Sequence, residues 1–120
     1  MEIKTKGTVG ELKVKTKLLE NGFNVYENIN DINGIDLVAE KDNKYISIQV
    51  KASYSKNEIS KGYGFRFGNC GNVADYTICV INDLFYIIPK HEMKQTGLTL
   101  FPDTQYSLSK YHQYFDKWNI

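Results

Sequence analysis

Three polar residues, Asp36, Gln49 and Lys51, stand in two short segments that each alternate apolar with polar side chains. In Ile35 to Glu40 the apolar set is Ile35, Leu37 and Ala39; in Tyr45 to Ala52 it is Ile46, Ile48, Val50 and Ala52. A period of two is that of a half-buried strand, so both segments are predicted as strands. Between them Lys41-Asp42-Asn43-Lys44 supplies turn residues, and the simplest joining is an antiparallel hairpin with Asp42 and Asn43 at its tip. That register sets Leu37 opposite Ile48 and Asp36 opposite Gln49, and a one-residue slip would turn the whole apolar set outward. Asp36, Gln49 and Lys51 then share the polar face. Metal-dependent phosphodiester hydrolysis needs such a set: a carboxylate for a hard divalent ion, further oxygen ligands, and a lysine that orients or activates water and offsets phosphate charge. The alternative is structural, with Asp36 a polar residue near a turn and Lys51 an exposed strand lysine.

The elements that must position these residues follow from the same patterning. Thr8 to Asn21 is predicted as an amphipathic helix with Val9, Leu12, Thr16 and Leu19 on one stripe, Lys13, Lys15 and Lys17 largely outside it, and Gly22 as the residue that ends it. Phe23 to Glu27 has strand character, and Asn28 to Gly34 reads as a loop. Ser53 to Gly64 is polar and loop-like, and Phe65 to Phe67 starts a further strand. Tyr76 to Ile81 and Phe85 to Ile88 flank the turn signal Asn82-Asp83 and are predicted as a second hairpin closed by Pro89. Tyr111, Tyr114, Phe115 and Trp118 have the spacing of one helix face. No repeat or linker interrupts the chain, so residues 1–120 are expected to form one α+β domain.

Composition bounds the function. A chain of 120 residues with 42% hydrophobic and 24% charged residues is ordinary globular material, able to bury roughly two-thirds of its unfolded surface. No apolar run approaches the about 18 residues that span a bilayer, and Met1 to Lys6 lacks the apolar stretch of a signal peptide, so a cytoplasmic protein without a membrane partner is expected. Cys70 and Cys79 have neither zinc-knuckle nor redox-pair spacing and are expected to be free thiols. A net charge of +1 means that any nucleic-acid binding must come from local charge. Lysines 4, 6, 13, 15 and 17 make the N-terminus the basic end.

The segment Gly34-Ile35-Asp36-Leu37-Val38, a short hairpin, then Ile46-Ser47-Ile48-Gln49-Val50-Lys51 resembles the PD-(D/E)XK, or restriction-endonuclease-like, nuclease superfamily. Gly7-Thr8-Val9-Gly10-Glu11 and its helix resemble that superfamily's opening segment, as in group I intron homing endonucleases and archaeal Holliday junction resolvases. The resemblance covers about the first 55 residues. It implies an α/β/α arrangement, a mixed central sheet flanked by helices, and Mg²⁺-dependent cleavage of double-stranded or branched DNA, with Mn²⁺ as a substitute ion. Carried over residue by residue, Glu11 and Asp36 are acidic positions, Gln49 stands at the second-acid position, Lys51 is the catalytic lysine, and the Val50 carbonyl is a further metal ligand. Two departures stand out. Ile35 replaces the proline, and Gln49 replaces an acid, which removes a negative charge and leaves a neutral amide oxygen for the cation. The second points toward the intron-encoded enzymes and away from resolvases, and leaves open an idle DNA-binding descendant. Cutting both strands with one site per domain implies a homodimer or larger homo-oligomer.

Other readings compete at particular residues. Thr8-Val9-Gly10-Glu11 also fits a capping box, in which Glu11 serves the helix start. Lys61-Gly62-Tyr63-Gly64-Phe65 matches the first five positions of the RNA-recognition octamer, whose aromatics stack bases, but Arg66 and Gly68 break the pattern. Lys13, Lys15, Lys17, Lys56, Lys61 and Arg66 are candidate phosphate contacts, with solvated lysines as the alternative. His91-Glu92-Met93-Lys94-Gln95 has glutamine where a zinc-protease helix needs its second histidine, and His91 and His112 lack a ligand cluster.

Overall fold

The structure, a computed structural model, describes residues 1–30, 34–68, 72–103 and 109–120. Cys70 and part of the predicted 28–34 loop lie outside the described residues. Among the described residues one α-helix, α1 (Ile3–Glu20), precedes seven strands: β1 (Asn24–Glu27), β2 (Leu37–Lys41), β3 (Lys44–Ser53), β4 (Tyr63–Arg66), β5 (Tyr76–Ile81), β6 (Leu84–Pro89) and β7 (Gly97–Leu100). No helix among the described residues is long and apolar enough to cross a membrane.

Helix α1 begins five residues before the predicted start, because Glu2 in extended conformation caps it through its carbonyl, which accepts from the Lys6 N–H at 2.9 Å. Thr8 is therefore inside the helix, its hydroxyl donating to the Lys4 carbonyl at 3.2 Å, and the alternative capping box does not form. The end follows the sequence. Gly22 takes φ +87°, its N–H donates to Leu19 O at 3.1 Å, and the Phe23 N–H donates to Leu18 O at 3.0 Å. This is a Schellman closure with Leu18 and Phe23, both buried, as its apolar contact.

The buried face of α1 is not the expected one. Gly10, Val14 and Leu18, four residues apart, face the sheet, whereas Leu12 and Leu19 are 53% and 59% exposed. The cause is Gly10: a Cβ there would lie 2.9 Å from the Ala52 Cβ, so only glycine lets the helix axis come this close to β3. Charge partners favour the same rotation. Lys13 pairs with Asp83 at 3.1 Å, Lys15 pairs with Glu27, and the Lys17 ammonium sits 5.8 Å from the Phe85 ring centre. The lysine stems thus flank the interface instead of standing outside it.

A five-stranded sheet runs β1-β2-β3-β5-β6, antiparallel throughout except for the parallel pair β3–β5. The β2–β3 hairpin has the predicted register, Leu37 opposite Ile48, and closes on Asp42 and Asn43 at φ 53° and 65°, the left-handed pair of a type I′ turn. The second predicted hairpin also forms, β5 and β6 joined at Asn82-Asp83. Against one sheet face, Val14 and Leu18 of α1 pack with Leu37, Ala39, Ile46, Ile48, Ile78 and Val80. The other face carries a second core in which Cys79, Ile81, Tyr86 and Ile88 meet Tyr63 and Phe65 of β4 and Leu100 of β7. The α+β class with a mixed sheet holds. The second flanking layer, however, is the two-stranded β4–β7 sheet and not a helix. Strand β7 was not foreseen.

The predicted C-terminal helix is replaced by a 3-10 turn, His112–Tyr114, and extended chain. Its aromatics serve both cores: Tyr111 joins the β4–β7 side, while Trp118 joins the α1 side, edge-on to Phe85 at 5.5 Å. A regular helix cannot send residues seven apart to opposite faces of a sheet, so tertiary packing overrides the local pattern.

Candidate active site

The hairpin register aligns the predicted residues. Asp36 precedes β2; its N–H donates to Ile48 O at 2.8 Å, and its Oδ2 accepts the Val50 N–H at 2.7 Å. The Asp36 carboxylate is thereby fixed on the backbone between Gln49 and Lys51. From the other side Asn28 braces the same turn, its N–H donating to Asp36 O at 3.3 Å and its Nδ2 to Ile35 O at 2.9 Å.

Gln49 lies in the middle of β3, opposite Thr77 of β5, and is only 4% exposed. The Thr77 hydroxyl stands 3.4 Å from Gln49 Oε1, a long hydrogen bond that turns the amide oxygen toward β5. Thr77 is a residue that sequence reasoning missed, although a lone hydroxyl in the apolar run Tyr76 to Ile81 was a signal. Lys51 is opposite Cys79, whose thiol is fully buried. Burial pushes the thiol up, against the pull of the nearby Lys51 ammonium, so Cys79 stays neutral and does not neutralise that lysine.

Glu11 reaches this cluster from the first half of α1, brought in by the close approach at Gly10. Its carboxyl is pushed above the usual range, first by burial, then by the negative charge of Asp36, partly opposed by Lys15 and reinforced by Glu27. Glu11 and Asp36 are therefore acids held close enough to repel. The structure thus brings Glu11, Asp36, Gln49, Val50 and Lys51 to one region. Tyr54, also missed, ties that region to α1: its Oη donates to Lys6 O at 3.3 Å, and the Lys6 and Lys13 ammonium groups lie 6.0 and 5.5 Å from its ring centre.

Among the described residues no three His, Cys, Asp or Glu side chains cluster in a way that could hold a metal. The oxygen set here is two carboxylates, an amide carbonyl and a main-chain carbonyl, hard donors suited to a divalent cation, and the repulsion between Glu11 and Asp36 is what such a cation relieves. The donors fit.

Of the candidate phosphate contacts, Lys13 and Lys15 are in the ion pairs already described, Lys17 covers Phe85, and Lys56 pairs with Asp103. Lys61 takes φ +65° in a turn, and Arg66 points outward from β4. Tyr63 and Phe65 are 9% and 5% exposed, so the rings that an RNA-recognition sheet would offer to bases are core residues.

A family model described as PD-(D/E)XK endonuclease matches residues 1–70. The chain belongs to the PD-(D/E)XK endonuclease family. The family implies a DNA substrate, and its nucleases generally use divalent metals. Among solved structures, the endonuclease is similar to a bacterial homing endonuclease, I-Ssp6803I, at 20% identity and a TM-score of 0.84, covering 99% of this chain and 92% of that one. At that identity the likeness is one of fold. No curated protein matches the sequence.

Proposed function

We propose that this endonuclease is a Mg²⁺-dependent, homing-endonuclease-like enzyme that hydrolyses phosphodiester bonds in double-stranded DNA. The observation that carries the reading is the Asp36 carboxylate held on the Val50 N–H, between Gln49 and Lys51. Asp36 and the Val50 carbonyl would hold the ion, the Gln49 amide oxygen would join them by turning from Thr77 toward Asp36, and Glu11 would assist from α1. Mg²⁺ would neutralise charge on the scissile phosphate and lower the pKa of bound water. Lys51 orients the attacking water and stabilises the charge that grows on the phosphate oxygens. The neutral Gln49 and the fold shared with a homing endonuclease favour this type over a junction resolvase. We read residues 1–120 as one domain with one site, so that cutting both strands takes two copies or more related by a two-fold axis.

The test is conversion of supercoiled plasmid by the purified protein with Mg²⁺ or EDTA, beside Lys51→Ala and Asp36→Ala. Nicked or linear product that needs the metal and both residues is the expected result. Cleavage at undiminished rate in both variants would remove the assignments. Tight DNA binding with no cleavage of plasmids carrying many sequences would favour an idle descendant.

A further inference from the structure

A concave region of about 700 Å³ opens beside the first half of β3 and the start of β5. Three lysines, Lys44, Lys90 and Lys94, and His91 line it with Tyr45 and Asp75. The lysines exceed the single carboxylate by two charges in a chain whose total is +1, so this region carries a local positive excess. Its one carboxylate, Asp75, is already engaged by Ser47, and Glu92 lies outside it. The Asp75 Oδ2 accepts from both the Ser47 N–H and the Ser47 hydroxyl, at 2.9 and 3.0 Å. Glu92, on the same 3-10 turn as Lys90 and His91, accepts the Tyr114 hydroxyl at 2.7 Å and does not line the cavity.

The platform is rigid. Pro89 ends β6, the Lys90 N–H donates to Asp75 O at 2.9 Å, and Met93 is buried in the second core, so Lys90, His91 and Lys94 are presented outward from anchored backbone. Lys44, Lys90 and Lys94 make no ion pair among the described residues, in contrast to the α1 lysines and Lys56. Tyr45 shares its sheet face with Gln49, four residues and about 13 Å further along β3. That is about four base pairs of axial rise, within reach of one bound duplex.

We propose that this cavity is a second phosphate-binding site, taking a backbone phosphate of the same DNA on which the Asp36–Lys51 cluster acts. It rests on the nuclease reading for its ligand. Lys90 and Lys94 would neutralise the phosphate, Lys44 would close the far side, and the Tyr45 hydroxyl would add a neutral donor. Such a contact carries no base specificity; it fixes the register of the duplex over the catalytic row.

The experiment is a salt titration of binding to a labelled mixed-sequence duplex in EDTA, comparing wild type, Lys90→Gln/Lys94→Gln and Lys90→Arg/Lys94→Arg, each first checked by thermal unfolding. In the glutamine variant the slope of log K against log salt should fall by about one, with roughly ten-fold weaker binding near physiological salt; the arginine variant should keep the wild-type slope. An unchanged slope in the folded glutamine variant overturns the proposal, as does an unchanged slope with a shift in sedimentation mass, which would make the cavity a contact between copies. Lys51→Ala separates the two readings. A lowered slope in the glutamine variant, with Lys51→Ala still cleaving, supports the phosphate site and sinks the catalytic assignment.

Discussion

Glu11 is the residue at which stability and chemistry can be told apart. Because α1 starts at Ile3, Glu11 does not cap the helix, and its raised pKa works against folding. The unfolded chain gives up this proton near 4.5 while the folded chain still holds it, so this group's contribution to stability falls as pH rises from 4.5 to the folded value. Glu11→Gln is expected to unfold at the same temperature as wild type or slightly above it at pH 7, with stability within about 0.5 kcal/mol. Cleavage should drop by roughly ten-fold or more. A variant that loses stability and activity together would return Glu11 to a structural role. For wild type, Mg²⁺ should raise the unfolding temperature by binding the folded state, and Asp36→Ala should abolish that rise; scanning calorimetry with and without EDTA reads both. Asp36, Gln49 and Lys51 were legible in the sequence because alternation and a two-residue turn fix their register locally. Glu11 was ambiguous because a capping box and a site acid use the same residue, and the choice depended on Glu2, which no local motif marks.

At the scale of elements, α1 shows why the helix was recognised and its face was not. Its apolar stripe was read from Val9, Leu12 and Leu19, yet packing selected Gly10, Val14 and Leu18, because closeness of approach counts for more than the number of large side chains. Gly10→Ala tests this. The substitution gains about 1 kcal/mol of helix propensity but drives a Cβ against Ala52, and overpacking costs about 1–3 kcal/mol. A net loss is expected in urea unfolding, with lower cleavage as Glu11 moves; increased stability would refute the close-approach argument. The β2–β3 turn gives the opposite sign. Asn43 sits at φ 65°, where glycine is unstrained, and its N–H, which donates to Glu40 Oε2 at 2.9 Å, survives the change. Asn43→Gly should stabilise by about 0.5 kcal/mol, measured the same way, without touching activity.

At the scale of the whole molecule, two cores share one sheet, and residues 109–120 join them: Tyr111 on one side, Trp118 on the other, and between them Phe115 bridged to Tyr86, with the Asp116 N–H donating to Phe85 O at 2.8 Å. The sequence could not reveal this, since aromatic spacing that suits one helix face also suits a chain crossing from face to face. The crossing runs along the outer side of β6, which is an edge strand of the sheet. Assembly by edge pairing can continue without limit only when each copy offers two different edges, one to receive and one to extend. With β6 occupied, the sheet offers β1, four residues long, and two copies joined there would close on each other. Residues 111–120 therefore shield this edge of the five-stranded sheet from pairing with another copy. Asp116→Pro, which removes the N–H bonded to Phe85 O while keeping Tyr111 and Trp118, should raise self-association measured by sedimentation, whereas Phe115→Ala, which keeps the backbone in place, should leave the protein dispersed.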